Sequence, residues 1–177
     1  MLRKFGIIAV LSLLLTALAA VPALAAITTT INPAAAPTGT HLQTGTIGCS
    51  VDSTGLVTCS TYELAGVGNA NAQADLVATY SATVDCTNKG GKLVPVKSSV
   101  QTAPTSTGVL EPKNGRLSVP QLQSGPVPTD AQFIASATCP NPNWSKSVAP
   151  GSIALESFTY TLHFVGFTGD YITITGP

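Results

Sequence analysis

Cys49-Ser-Val-Asp-Ser-Thr-Gly-Leu-Val-Thr-Cys59 constrains this chain more than any other stretch. Asp52 suits the first position of a type I turn, and Gly55 the left-handed position that follows. Ser53-Thr54-Gly55 is then a three-residue hairpin loop with a bulge. Counting outward sets Asp52 opposite Leu56, Val51 opposite Val57 and Cys49 opposite Cys59. Cysteines at such a non-hydrogen-bonded pair lie ~4.5 Å apart at Cα, the short end of disulfide reach. Val51 and Val57 share that face, which therefore points inward. Four cysteines allow three pairings, and the hairpin favours this one. Cys86 and Cys139 then form the second disulfide. Its longer loop is worth roughly 4 kcal/mol by chain entropy, against roughly 3 for the hairpin.

Paired cysteines belong to an oxidising compartment, and the N-terminus supplies a route there. Arg3 and Lys4 precede an apolar stretch from Gly6 to Ala20, and Ala23-Leu24-Ala25 has the small residues of a cleavage site. Residues 1–25 read as a secretory signal peptide cut after Ala25, which places the protein outside the cell. No cysteine follows the apolar stretch, so a lipid anchor is not expected. No later run approaches the ~20 apolar residues of a membrane span. The signal carries two of the eight basic residues, so the mature part has six against eight acids, a net charge of about −2. Charged residues make up only 9% of the chain. Without a basic patch, nucleic acid is not an expected partner.

Residues 26–43, rich in Ala, Thr and Pro, read as an extended N-terminal arm with a candidate first edge strand. Residues 44–177 read as a single β-sandwich domain. Asp75 to Thr87 alternates Leu76, Ala78, Tyr80, Ala82, Val84 and Cys86 against polar neighbours, and predicts a strand with one apolar face. Leu93 to Thr102 predicts another, with Pro95 assigning it to a sheet edge. Asn114-Gly115 marks a turn between Val109–Glu111 and Arg116–Val119. Gln121 to Asp130 reads as a Pro-rich connection. Phe133, Ala135, Ala137 and Cys139 alternate and predict a strand, and no amphipathic helix is expected anywhere. Ser152 to Phe167 turns Phe158, Tyr160, Leu162 and Phe164 to one side, with Glu156 in the same inward register. Tyr171 to Thr175 is the last strand. Eight or nine strands separated by turn signals predict an all-β, antiparallel, immunoglobulin-like sandwich, with a closed barrel as the alternative.

Catalytic sets are sparse. His41 lies in the arm, and His163 on the polar face of a strand. A serine nucleophile would need one of them as base, yet no G-x-S-x-G elbow accompanies either. The chain is not expected to be an enzyme, and a secreted hydrolase is the least favoured reading. The cysteines are too widely spaced for metal knuckles, so no metal or other cofactor is expected. Gly66-Val-Gly68 has no following helix or lysine and reads as a connection, not a phosphate loop. Asn143-Trp144-Ser145 matches the N-glycosylation acceptor pattern. Trp144, the sole tryptophan, either caps the core over Cys86–Cys139 or stacks on a sugar ring. The expected function is a noncatalytic cell-surface, envelope or matrix interaction module, with a protein or polysaccharide partner. The alternative is a carbohydrate- or small-ligand-binding module using Trp144.

Four fragments in order carry a resemblance: Tyr62-Glu-Leu-Ala-Gly-Val-Gly-Asn-Ala, Cys86-Thr-Asn-Lys-Gly-Gly, Cys139-Pro-Asn-Pro-Asn-Trp and Phe158-Thr-Tyr-Thr-Leu. Together they resemble small exported bacterial proteins of unassigned function. That resemblance implies an exported, disulfide-bonded β-domain and no activity. The Cys49–Cys59 hairpin alone is similar to one in the enediyne-carrying apoproteins of actinomycetes, which are immunoglobulin-like sandwiches. Those proteins close a short loop with their second disulfide, and the wide Cys86–Cys139 spacing departs from this and argues against chromophore carriage.

Overall fold

The computed structural model describes residues 26–177, and the expected signal peptide lies outside the described residues. The elements in chain order begin with β1 (Thr28–Ile31), a 3-10 turn (Pro33–Ala35), β2 (His41–Gly45), β3 (Cys49–Val51), β4 (Val57–Cys59) and β5 (Tyr62–Ala65). Then come β6 (Ala72–Thr87), β7 (Leu93–Gln101), β8 (Thr105–Leu110), β9 (Arg116–Val119) and β10 (Leu122–Gln123). Helix α1 (Asp130–Ser136) follows, and β11 (Ser145–Val148), β12 (Ala154–Phe164) and β13 (Ile172–Gly176) complete the chain. All strand pairs are antiparallel.

The large sheet is organised on β6. Its 16 residues carry β12 and β11 end to end on one side, and β7 and β8 on the other. Beyond β12 lie β13 and then β1 at the edge, so the N-terminal segment supplies an outer strand. Two three-stranded sheets, β10-β4-β3 and β2-β5-β9, form the second layer. The sheets stay open, so the fold is a sandwich and not a barrel.

The reason is alternation. Every even-numbered residue of β6 from Ala72 to Cys86 is buried, and every odd one is half-exposed. Phe158, Tyr160, Leu162 and Phe164 of β12 and Ile172 and Ile174 of β13 continue that inner face. Val57, Cys59, Tyr62, Leu64, Leu117, Val119 and Leu122 meet it from the small sheets, in one contiguous core. Threonine dominates the other side of the large sheet, where Thr28, Thr30, Thr159, Thr161, Thr173 and Thr175 fall on facing positions of β1, β12 and β13. A branched side chain with a hydroxyl suits a pleated surface that meets water.

The first hairpin has the geometry its residues demand. The Asp52 N–H donates to the Leu56 carbonyl at 3.0 Å, the Gly55 N–H to the Asp52 carbonyl at 3.0 Å, and Gly55 has φ +88. Cys49 faces Cys59 with Cα atoms 3.9 Å apart, bridged as a disulfide. Asn114 and Gly115 both have positive φ, as a type I′ turn requires. The flanking strands β8 and β9 nonetheless enter different sheets.

Two expectations are corrected. Residues 130–136 form α1, where the Phe133–Cys139 alternation predicts a strand. Thr129-Asp-Ala-Gln132 is a helix-start pattern, and the Gln132 Oε1 accepts from the Thr129 N–H at 2.8 Å. Phe133 and Ala137, four apart, are the buried pair, while Ala135 is exposed. Spacing by four is the helical period, and alanine is the best helix former, so the apparent period of two is accidental. Lys146 of β11 closes the far end, its Nζ donating to the carbonyls of Ala137 at 2.6 Å and Ile134 at 3.2 Å. A cation there also meets the negative end of the helix dipole.

Glu156 is the second correction, because it does not face inward. The pairing of β12 with β6 shifts between Leu155 and Ser157. This bulge leaves Leu155 opposite Tyr80 on the core side and turns Glu156 outward. There Glu156 reaches across β6 to Lys97 at 2.6 Å and accepts from the Ser99 hydroxyl at 2.8 Å. These two hydrogen bonds hold its carboxyl below the ordinary glutamate range.

Two tyrosines join the layers. The Tyr62 hydroxyl of β5 and the Tyr160 hydroxyl of β12 are 2.7 Å apart inside the core. Burial pushes Tyr160 up to about 12, and burial together with the neighbouring Tyr160 pushes Tyr62 up as well. Both keep their protons in the folded state where the unfolded chain loses them, from the ordinary value of 10.0 upward. Their contribution to stability is therefore level below pH 10 and falls above it, by up to about 1.4 kcal/mol per pH unit for each tyrosine. Urea midpoints at pH 9 and pH 11 check this, and equal midpoints would contradict it.

Candidate functional site

The sequence directs attention to Trp144 and to the disulfide before it. Cys86, near the end of β6, is fully buried and bonded to Cys139, with Cα atoms 5.8 Å apart. This bond draws together the turn that leaves β6 and the segment that leaves α1. Asn88 organises the first. Its Oδ1 accepts from the Gly90 N–H at 2.9 Å and the Lys92 N–H at 2.8 Å. Its main chain also pairs with Lys92 and Gly91. Asn141 organises the second. Its Oδ1 accepts from the Asn143 N–H at 2.9 Å, and its carbonyl from the Trp144 N–H at 3.2 Å. Both are turns in which a short amide side chain substitutes for backbone. Trp144 is then held between this turn and β11, whose first residue, Ser145, donates to the Thr87 carbonyl at 3.1 Å.

Between the two turns lies an open recess of ≈ 750 Å³, lined by Asn88, Lys89, Gly90, Asn141, Asn143 and Trp144. Trp144 is half-buried and stands outside the core cluster. The carboxamide oxygens of Asn88 and Asn141 are taken up by their own turns. What these side chains still offer is N–H donors, and Lys89 adds the one charge in the lining. An indole flanked by donors suits a ligand with an apolar ring face and a rim of oxygen acceptors.

The remaining candidates are dispersed. The His41 Nδ1 lies 2.8 Å from the Gly39 carbonyl, and the His163 Nδ1 lies 3.0 Å from the Gly169 carbonyl. Among the described residues, neither imidazole has a carboxylate or hydroxyl as a hydrogen-bond partner. Nor do three His, Cys, Asp or Glu side chains gather there as a metal site would need. Gly66-Val67-Gly68 forms an ordered turn with Val67 buried.

Sequence reasoning singles out Trp144 and Asn143 and misses Asn88, Lys89 and Asn141. A signal for them exists. Asn88 follows Cys86 by two residues and Asn141 follows Cys139 by two, so pairing the cysteines already makes neighbours of the turns.

The fold and this site define an antiparallel, disulfide-bonded β-sandwich with a polar, aromatic-edged recess at one end. No protein-family model, curated protein or solved structure matches the chain. No helix among the described residues is long and apolar enough to cross a membrane.

Proposed function

We propose that this protein is exported and works outside the cell as a noncatalytic interaction module that binds polysaccharide through the Trp144 recess. Export is supported by the charged, apolar and small-residue order of residues 1–25, and by two disulfides that require an oxidising compartment. The resemblance to small exported bacterial proteins agrees with that reading. One observation carries the binding assignment: Trp144, Asn88, Asn141, Asn143 and Lys89 converge on one recess from two disulfide-joined turns. A sugar ring presents an apolar face to the indole and hydroxyl oxygens to the amide donors. An acidic sugar would also meet Lys89. The site is open, so it suits a chain running past it better than an engulfed small molecule.

The test is co-sedimentation of residues 26–177 with isolated cell wall and a panel of insoluble polysaccharides, neutral and acidic. Saturable binding is expected. Trp144→Ala should weaken it roughly 30-fold, the effect of losing an anchor worth about 2 kcal/mol. Absence of binding would remove the carbohydrate assignment, and equal binding by the folded variant would remove the Trp144 recess as its site.

A further inference from the structure

We infer that β1 is a self-association edge, through which two copies of this chain join their large sheets β1 to β1, antiparallel, about a two-fold axis at Thr29. β1 is the outer strand of the sheet, and among the described residues no segment pairs with its open side. All four of its residues are exposed. Ile27, just before it, and Ile31, at its end, are 40% and 47% exposed, both high for large apolar side chains.

The hydrogen-bond phase sets the register. The Asn32 N–H donates to the Tyr171 carbonyl at 2.8 Å, which makes these two a hydrogen-bonded pair. Stepping back by two residues makes Thr30–Thr173 and Thr28–Thr175 the bonded pairs of β1 with β13. The N–H and C=O groups of Ile27, Thr29 and Ile31 therefore face the open edge. An antiparallel copy with Thr29 opposite Thr29 sets Ile27 opposite Ile31 of the partner subunit, and the reverse. Those three positions then form the hydrogen-bonded pairs, so every open group finds a complement. Thr29 and Ile31 lie opposite Ile174 and Ile172, on the core face of the sheet, and Ile27 continues their alternation. The isoleucine contacts thus extend the apolar face from one copy into the next. A shift of one residue would oppose core-side with solvent-side residues and break the hydrogen-bond phase.

Two other edge strands, β7 and β2, are guarded and this one is not. β7 carries Pro95 and Lys97, and α1 lies against it through the Ser98 hydroxyl, which donates to the Phe133 carbonyl at 2.9 Å. β2 is broken by a bulge between Leu42 and Thr44. Proline, lysine, bulges and covering helices are the usual protections of a sheet edge, and Ile27–Ile31 has none of them. The contact is short and falls in the small, weak class of interfaces, so the dimer should depend on concentration.

Sedimentation velocity on residues 26–177 over a wide concentration range tests this. The mass should rise from monomer toward twice that value, and exchange at the Ile27, Thr29 and Ile31 amides should slow as it does. The Thr28 and Thr30 amides, bonded to β13, should be protected throughout. Thr29→Pro removes an N–H that faces only the open edge, so β1 keeps its ladder to β13. The variant should stay monomeric at every concentration with an unchanged melting temperature. Thr29→Lys, which sets two ammonium groups together on the axis, should weaken association at least tenfold and decides the matter if the proline variant does not fold. A wild-type protein that stays monomeric, or folded variants that dimerise as before, would overturn the proposal.

Discussion

Phe133→Ala is expected to lower stability by about 3–5 kcal/mol, the range for emptying a fully buried aromatic site. Phe133 is fully buried, on a helix of seven residues. So short a helix does not persist by its own propensity and depends on docking. The dock consists of this ring, the Ser98 hydroxyl on the Phe133 carbonyl and the Lys146 ammonium at the helix end. Removing the ring leaves the polar contacts nothing to orient against. Guanidinium unfolding measures the change, read as a shift in midpoint at constant slope. A loss below about 1 kcal/mol would mean that the site collapses around the vacancy or that the helix contributes little.

The double substitution Cys86→Ala with Cys139→Ala should cost nearly as much. The bond spans 53 residues, against 10 for Cys49–Cys59. Chain entropy puts the losses at about 4 and about 3 kcal/mol respectively, so the order of the two effects is itself a prediction. The larger loss should also reach the recess. With Cys86 and Cys139 apart, the short β11 ladder, the Ser145 hydroxyl on the Thr87 carbonyl and the Lys146 contacts are left to hold the Asn141–Trp144 turn beside Asn88. Tryptophan emission should shift to the red in this variant and stay put in Cys49→Ala with Cys59→Ala. The reverse order of stability, or equal emission in the two, would contradict this account of the site.

Much of the molecule is legible residue by residue. The hairpin follows from Asp52 and Gly55 because turn geometry is local: three residues settle where the flanking strands must pair. β6 and β12 are legible because a half-buried strand writes its two faces into the sequence at period two. Pro95 marks an edge because proline cannot donate to a ladder. The Asn88 and Asn141 turns are legible in retrospect, since short amide side chains close such turns wherever they occur.

Other features stay ambiguous until the chain packs. Phe133-Ile-Ala-Ser-Ala-Thr-Cys139 satisfies a period of two and a period of four at once, because alanine and serine count on either face. The Ser98 contact, 35 residues back in the chain, and the Lys146 contacts from the strand that follows decide for the helix. Glu156 changes face through one extra residue in the β12 ladder, and a bulge is a property of a pair of strands, invisible in either alone. The Asn114-Gly115 turn is legible, but sending β8 and β9 into different layers is not, since sheet membership depends on partners tens of residues distant.

The sequence by itself determined what short-range sterics and periodicity control: the β-rich class, the first hairpin, the pairing of the cysteines and the inner faces of the long strands. Only the tertiary structure decided which layer each strand joins, where α1 docks, which way Glu156 points and what surrounds Trp144. Those outcomes depend on contacts between segments far apart along the chain, and local chemistry alone does not select among them.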